Sequence, residues 1–167
     1  MIKAKKPKKP ADKIQVHFVF IEEPFDKVAP ELMKWEESSW WPKNAGIAVV
    51  RSPSGPIQVG TIFQYKLGAR GWTSEVVRFS PNRLLASTFK SGLLQGAEAI
   101  SIEERANGTR VEYEIRYQIK NLVDKIIWMF VGERVYSKAM KKILAAFRNY
   151  MIEKSKQEHE KKLEEPS

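Results

Sequence analysis

The sequence contains no cysteine and only two histidines. Without cysteine there is no disulfide framework, thiolate zinc site, iron–sulfur cluster or cysteine nucleophile. His17 lies in a strand-like segment and His159 in the charged C-terminal segment, so we expect no metal site. Walker and Rossmann glycine patterns and a Gly-x-Ser-x-Gly nucleophile motif are also missing. We therefore expect neither a metal nor a cofactor.

Long apolar runs are missing as well. The longest, Ile126–Val131, is far shorter than the ~20 residues that a membrane-spanning helix needs. No apolar segment follows the N-terminal lysines, so they do not form a secretory signal, and we expect a cytoplasmic protein without a transmembrane segment. A helix that is apolar nearly all round is usually buried, and we expect this of Ile126–Val131. If exposed, it would be a docking patch for a membrane or a partner.

Positive charge is concentrated at the N-terminus. Residues 1–13 carry six lysines and one aspartate, so they hold +5 of the chain's net charge of +9. With two prolines and few apolar residues, residues 1–12 are predicted to be a disordered basic tail. Its lysines are either a solubilising terminus or contacts for an anionic membrane or nucleic acid. The lysines concerned are Lys3, Lys5, Lys6, Lys8 and Lys9.

The rest of the 167 residues suits one domain, which we place at 13–152. Residues 153–167 alternate lysine and glutamate and are predicted to be a frayed helix end and charged tail. The first strand, 13–21, alternates, and its apolar residues are predicted to face the core with His17 facing solvent. Those apolar residues are Ile14, Val16, Phe18 and Phe20. A helical pattern follows Pro24, and Pro30 within it predicts a kink or two short helices.

Residues 45–120 read as about six strands separated by turns rich in glycine, proline and asparagine. The last strand is predicted to bury one face, formed by Val111, Tyr113, Ile115, Tyr117 and Ile119. A long amphipathic helix is predicted from Asp124 onward. Its apolar stripe begins with Val135 or Tyr136 and continues with Met140, Ile143, Leu144, Phe147 and Met151. An α+β domain is the expected class, because the one-sided sheet can cover that stripe.

Several segments resemble the START-like superfamily known as SRPBCC, which includes polyketide cyclase/dehydrase-like and birch-pollen-allergen-like proteins. Residues 20–28 resemble its first strand running into a proline-started helix, and Trp40-Trp41-Pro42 its tryptophan–proline turn. Residues 72–76 with 80–84 are similar to its central hairpin. The glycine-marked segments 92–100 and 108–111 are similar to its last strands. The resemblance covers roughly residues 13–152, and agreement of element order with these motifs makes it informative about fold.

The resemblance implies a helix-grip fold. A curved antiparallel sheet of about seven strands would wrap around the long C-terminal helix, with two short helices after the first strand. Members of the superfamily bind lipids, hormones or polyketides in an apolar cavity between sheet and helix, and some catalyse reactions there. No catalytic motif is shared across the superfamily, so fold alone does not define the function.

Strand parity and helix period suggest which side chains would line such a cavity. The predicted ligand-binding residues are Phe63, Tyr65, Trp72, Ser74, Val76, Ile100, Ile115, Tyr136, Met140 and Phe147. Glu98 shares parity with Ile100, and a carboxyl group facing an apolar cavity would have a raised pKa. Glu98 with Tyr113 or Tyr117 is therefore a candidate acid–base group, unless a bulge turns Glu98 outward or a basic side chain pairs with it.

Three functions remain open at this point. The first is binding of a small hydrophobic molecule such as a lipid or polyketide. The second is a cyclase- or dehydratase-type reaction using Glu98 and the tyrosines. The third is interaction of the N-terminal lysines with anionic lipid or nucleic acid. Trp40 and Trp41 would either fill the core, which we favour, or gate the cavity.

Overall fold

The computed structural model describes residues 13–36 and 39–164, in which one antiparallel sheet packs against a long C-terminal helix. The predicted basic tail, residues 1–12, lies outside the described residues. The strands are β1 (Lys13–Ile21), β2 (Ile47–Ser52), β3 (Ile62–Leu67), β4 (Arg70–Ser80), β5 (Leu84–Gly92), β6 (Gln95–Arg105) and β7 (Gly108–Gln118). The helices are α1 (Phe25–Leu32), α2 (Leu122–Ile127) and α3 (Glu133–Glu164), and a π-helical turn, Trp128–Gly132, joins α2 to α3.

The seven strands lie in the order β1-β7-β6-β5-β4-β3-β2. Strands β2 to β7 form successive antiparallel hairpins, and β1 pairs with β7 at the far edge. Register shifts between β4 and β5, at Thr73/Ser74 and Val76/Arg78, mark bulges of the kind that bend a sheet. The predicted α+β helix-grip fold is confirmed, including its seven strands.

One helix, α1, follows β1 in place of the two that we predicted. Pro30 lies inside α1 and close to its end, at Leu32. A proline at that position removes only one helical hydrogen bond, so the helix continues past it for two residues and then ends. The next turn closes with the Met33 amide donating to the Ala29 carbonyl at 3.1 Å.

Strand β1 faces the opposite way from our prediction. His17 is only 6% exposed, whereas the four apolar residues that we expected in the core are exposed. The cause is the pairing with β7, because directly opposite residues in a sheet share a face. His17 lies opposite Tyr113 and Val19 opposite Val111, and both β7 side chains are buried. The outward residues are Ile14, Val16, Phe18 and Phe20.

The segment after β7 also departs from the prediction. Helix α2 begins at Leu122, two residues before the predicted start, because the Asn121 side chain accepts the amides of Val123 and Asp124 at 2.9 and 3.2 Å. The apolar run from Ile126 to Val131 was expected to be buried and is exposed, except for Trp128. No helix among the described residues is long and apolar enough to cross a membrane.

Helix α3 lies against the concave face of the sheet and buries the predicted stripe. The stripe's residues are Tyr136, Met140, Ile143, Leu144, Phe147 and Met151. Trp40 is buried with its ring 4.8 Å from that of Phe147, and Trp41 is half-buried with its indole N–H donating to the Ile47 carbonyl at 3.0 Å. Trp40 therefore packs against α3, and Trp41 packs against Trp40 with ring centroids 5.8 Å apart.

Candidate functional site

A carboxyl group lies buried in the interior, where Glu98 of β6 points toward α3. Its Oε1 accepts hydrogen bonds from the Ser74 hydroxyl at 2.7 Å and the Tyr65 hydroxyl at 3.2 Å. Its Oε2 accepts one from the Tyr113 hydroxyl at 2.7 Å, and that hydroxyl lies 2.6 Å from the Tyr136 hydroxyl of α3. We call these five residues the Glu98 cluster.

The sheet register explains how these side chains meet. Strands β6 and β7 pair without a register shift, so no bulge turns Glu98 outward, and it lies opposite Ile115. Gly96, two residues earlier, has a φ of 134°, and a Cβ there would lie 2.0 Å from the Arg116 carbonyl oxygen. Only glycine fits this close approach of β6 to β7, which sets the position of Glu98.

Burial governs the ionisation of the cluster. It raises the pKa of Glu98, although the hydrogen bonds from Tyr113, Ser74 and Tyr65 act in the opposite direction. Burial also raises the pKa of Tyr65, Tyr113 and Tyr136, and the nearby Glu98 carboxyl raises each further. The three phenols therefore stay protonated as donors, while the carboxyl is able to hold a proton at a higher pH than an exposed glutamate.

Aromatic rings enclose the cluster. Trp35 stacks on Tyr113 with ring centroids 5.8 Å apart, and its N–H donates to the Tyr65 hydroxyl at 3.2 Å. Trp72 stacks on Tyr65 at 5.4 Å and lies 6.0 Å from Tyr136. Within the part of the chain that the structure describes, no acceptor lies within hydrogen-bonding distance of the buried Trp72 indole N–H. A buried donor without an acceptor is uncommon in folded proteins, and among the described residues the Trp40 indole N–H shares this property with Trp72.

The predicted site residues are all buried, but they do not all lie in the cluster. Tyr117 is separate, because its hydroxyl accepts from the Trp128 indole at 3.0 Å and from the Gln15 amide at 3.4 Å. Apart from Trp72, whose ring stacks on Tyr65, the remaining predicted residues are buried apolar side chains: Phe63, Val76, Ile100, Ile115, Met140 and Phe147.

Sequence reasoning did not select Trp35 or Trp128. Trp35 follows α1 and reaches the cluster from a turn, which strand parity does not describe. Trp128 lies inside an apolar run in which every neighbour looked equally buried, so nothing distinguished it. The sequence did contain one signal for Trp128: it precedes Tyr136 by about two helical turns, which places both side chains on the same face of a helix.

Two grooves on the surface lie away from the Glu98 cluster. One of about 650 Å³ separates β1 from α3 and is lined by Gln15, His17, Met129 and Lys141 among others. An adjoining groove of about 310 Å³ continues along Phe18 and Leu144. Burial lowers the pKa of His17 beside these grooves, with a smaller contribution from Lys141.

Comparison with known proteins supports the fold. No protein-family model and no curated protein matches the sequence. Among solved structures, TTHA0849 from Thermus thermophilus superposes with a TM-score of 0.67 at 11% identity, covering 86% of this chain and 99% of that one. Ara h 8.0201 gives 0.60 at 12% identity, covering 85% and 99%. Norcoclaurine synthase from Thalictrum flavum, in complex with dopamine and hydroxybenzaldehyde, gives 0.56 at 12% identity, covering 85% and 87%.

Proposed function

We propose that this chain, which has the START-like fold of the SRPBCC superfamily, binds a small, largely apolar molecule at the Glu98 cluster. The observation that carries the proposal is a carboxyl group buried under three hydroxyls inside an aromatic interior. Ligand sites combine an apolar lining with a few converging polar groups, and the cluster has both. A protein of the same fold holds dopamine and hydroxybenzaldehyde, so the fold accommodates molecules of this size.

The polar groups define what the ligand should offer. The unpartnered Trp72 indole N–H calls for an acceptor such as a carbonyl or hydroxyl oxygen. Glu98 and the Tyr113 and Tyr136 hydroxyls are able to exchange hydrogen bonds with the same group. Trp72 and Trp35 would cover its apolar part by stacking.

Entry of a ligand requires a displacement, because Glu98 is only 6% exposed. The segment that would move to admit the ligand is Leu122 to Gly132, because it covers the cluster with a single side chain. Of these residues, all of which the structure describes, only Trp128 is buried. The Trp128 ring lies 5.7 Å from Tyr136, so withdrawing this one side chain would open a path beside the cluster.

Mass spectrometry and NMR test the proposal. The purified chain is denatured and any released small molecule identified, and the ¹⁵N-labelled chain is titrated with 4-hydroxybenzaldehyde and with oleic acid. We expect a released molecule, or a probe that shifts the Trp72 indole resonance more than that of Trp41, whose N–H is already bonded to Ile47. Trp72→Phe and Trp41→Phe assign the two resonances. If nothing is released and neither probe shifts Trp72 selectively, the proposal is wrong.

A second candidate is acid–base catalysis on a bound carbonyl compound, which the 2.7 Å contact between Glu98 and Tyr113 favours. Burial raises the pKa of the Glu98 carboxyl, which makes its carboxylate a stronger base than that of an exposed glutamate, and Tyr113 would donate to the carbonyl oxygen. Exchange of α-protons of phenylacetaldehyde in D₂O measures that elementary step. Glu98→Gln should slow exchange by about 100-fold relative to the wild type. Equal rates in both proteins would exclude Glu98 as the base.

A further inference from the structure

We propose that α2 and the π-helical turn form a docking surface for an anionic lipid bilayer. This goes beyond the proposed ligand site and stands without it. The surface consists of Leu122, Val123, Ile126, Ile127, Met129, Phe130 and Val131, each 46–69% exposed. Contiguous exposed apolar surface of this kind on a helix marks an interaction site.

The length of the segment suits a bilayer surface rather than its interior. Residues 122–132 form fewer than four helical turns, about 16 Å, which is half of the hydrocarbon thickness. Leu122 and Phe130 project furthest, at 69% and 67% exposure, and side chains of this type insert at the boundary between headgroups and acyl chains.

The charges beside the surface favour an anionic bilayer. Its two acidic neighbours are neutralised, Asp124 by Arg70 at 2.6 Å and Glu133 by Lys13 at 2.9 Å. The basic residues that flank and follow it are Lys120, Lys125, Arg134 and Lys138, all of them exposed. Apolar side chains with basic neighbours match acyl chains with anionic headgroups.

The N-terminal lysines strengthen this match. Lys13, where the described chain begins, contacts Glu133 directly after the π-helical turn. Lys3, Lys5, Lys6, Lys8 and Lys9 precede Lys13 by four to ten residues in the sequence, so further positive charge adjoins the residue that contacts Glu133 along the chain. Lysine side chains are attracted to an anionic leaflet. Nucleic acid would use the same cations but would leave the apolar side chains without a partner.

Vesicle sedimentation tests the proposal on the full chain. Phosphatidylcholine vesicles with about 30% phosphatidylserine should bind the wild type at least tenfold more strongly than phosphatidylcholine alone, and binding should weaken as salt screens the headgroups. Leu122→Ser combined with Phe130→Ser should lower the partition constant about tenfold or more, since two large apolar groups are lost. The matched control is Val50→Ser with Val59→Ser, two valines at 62% and 61% exposure outside the surface, which should leave binding unchanged.

A spectroscopic measurement reports insertion directly. The chain has five tryptophans of its own, so each variant is compared with the wild type. Phe130→Trp should add a blue shift on vesicle binding and added quenching by brominated lipids, whereas Val59→Trp should add neither. Equal binding by wild type and the Leu122/Phe130 variant, or equal loss in the control, overturns the proposal. So does a wild type that ignores vesicles but forms dimers that the same substitutions dissociate, since the surface then belongs to a second copy.

Discussion

Glu98 makes the unfolding free energy depend on pH. Burial raises its pKa in the folded chain, whereas the unfolded chain has the ordinary glutamate value of about 4.3. The folded chain therefore binds this proton more tightly, so the contribution of Glu98 is full below the ordinary value and is lost as pH rises through the raised one. Denaturant titrations from about pH 4 to about pH 8 should show Glu98→Gln losing less stability with rising pH than the wild type.

The matched control for this substitution is Glu104→Gln, an exposed carboxyl on the same strand. It should reproduce the wild-type pH profile. Burial lowers the pKa of His17, but His17 is present in all three proteins, so the difference between profiles isolates Glu98. Parallel profiles for wild type and Glu98→Gln would mean that Glu98 does not titrate abnormally.

At the scale of elements, strands β2 to β7 followed their two-residue alternation because each has a neighbour on both sides or a hairpin partner next in sequence. Parity therefore predicted Glu98, Tyr65, Ser74 and Tyr113 correctly as inward residues, and helix period added Tyr136. Parity cannot report distances, so the sequence paired Glu98 with Tyr113 or Tyr117 but did not indicate that Tyr65, Ser74 and Tyr136 join the same hydrogen-bonded cluster.

In strand β1 and helix α2, the hydrophobic pattern of the sequence predicted the wrong side chains to be buried. In β1 the apolar side faces outward, because a partner distant in sequence, β7, sets the face, and the outward Phe18 is covered partly by the Arg110 guanidinium at 4.5 Å. In α2 an apolar sequence is exposed. It was predicted to be buried because composition does not distinguish a core helix from an apolar helix at the surface. Both errors lie where the chain presents apolar side chains at its surface.

At the scale of the whole molecule, a second buried carboxyl joins α1 to the C-terminal half of α3. Glu31 of α1 accepts from Lys154 at 2.6 Å, from Tyr150 at 2.9 Å and from Lys34 at 3.3 Å. Like Glu98 it is desolvated and has three donors, but here two donors are cations. Desolvation would raise the pKa of Glu31, yet the bonds from Lys154, Tyr150 and Lys34 outweigh it and the pKa is lowered.

Glu31→Gln should lower the unfolding free energy at neutral pH by about 2 kcal/mol, because the hydrogen bonds from Lys154, Tyr150 and Lys34 to a buried charged group are lost. Since its folded pKa is lowered, Glu31 stabilises the fold above the ordinary glutamate pKa, and that contribution disappears as pH falls through the lowered value, opposite to Glu98. The control is Glu158→Gln, which removes the exposed pair with Lys27 between the same two helices and should change stability only marginally. Equal losses from both substitutions in denaturant titration would show that helix contact in general, rather than the buried Glu31 carboxylate, holds α1 on α3.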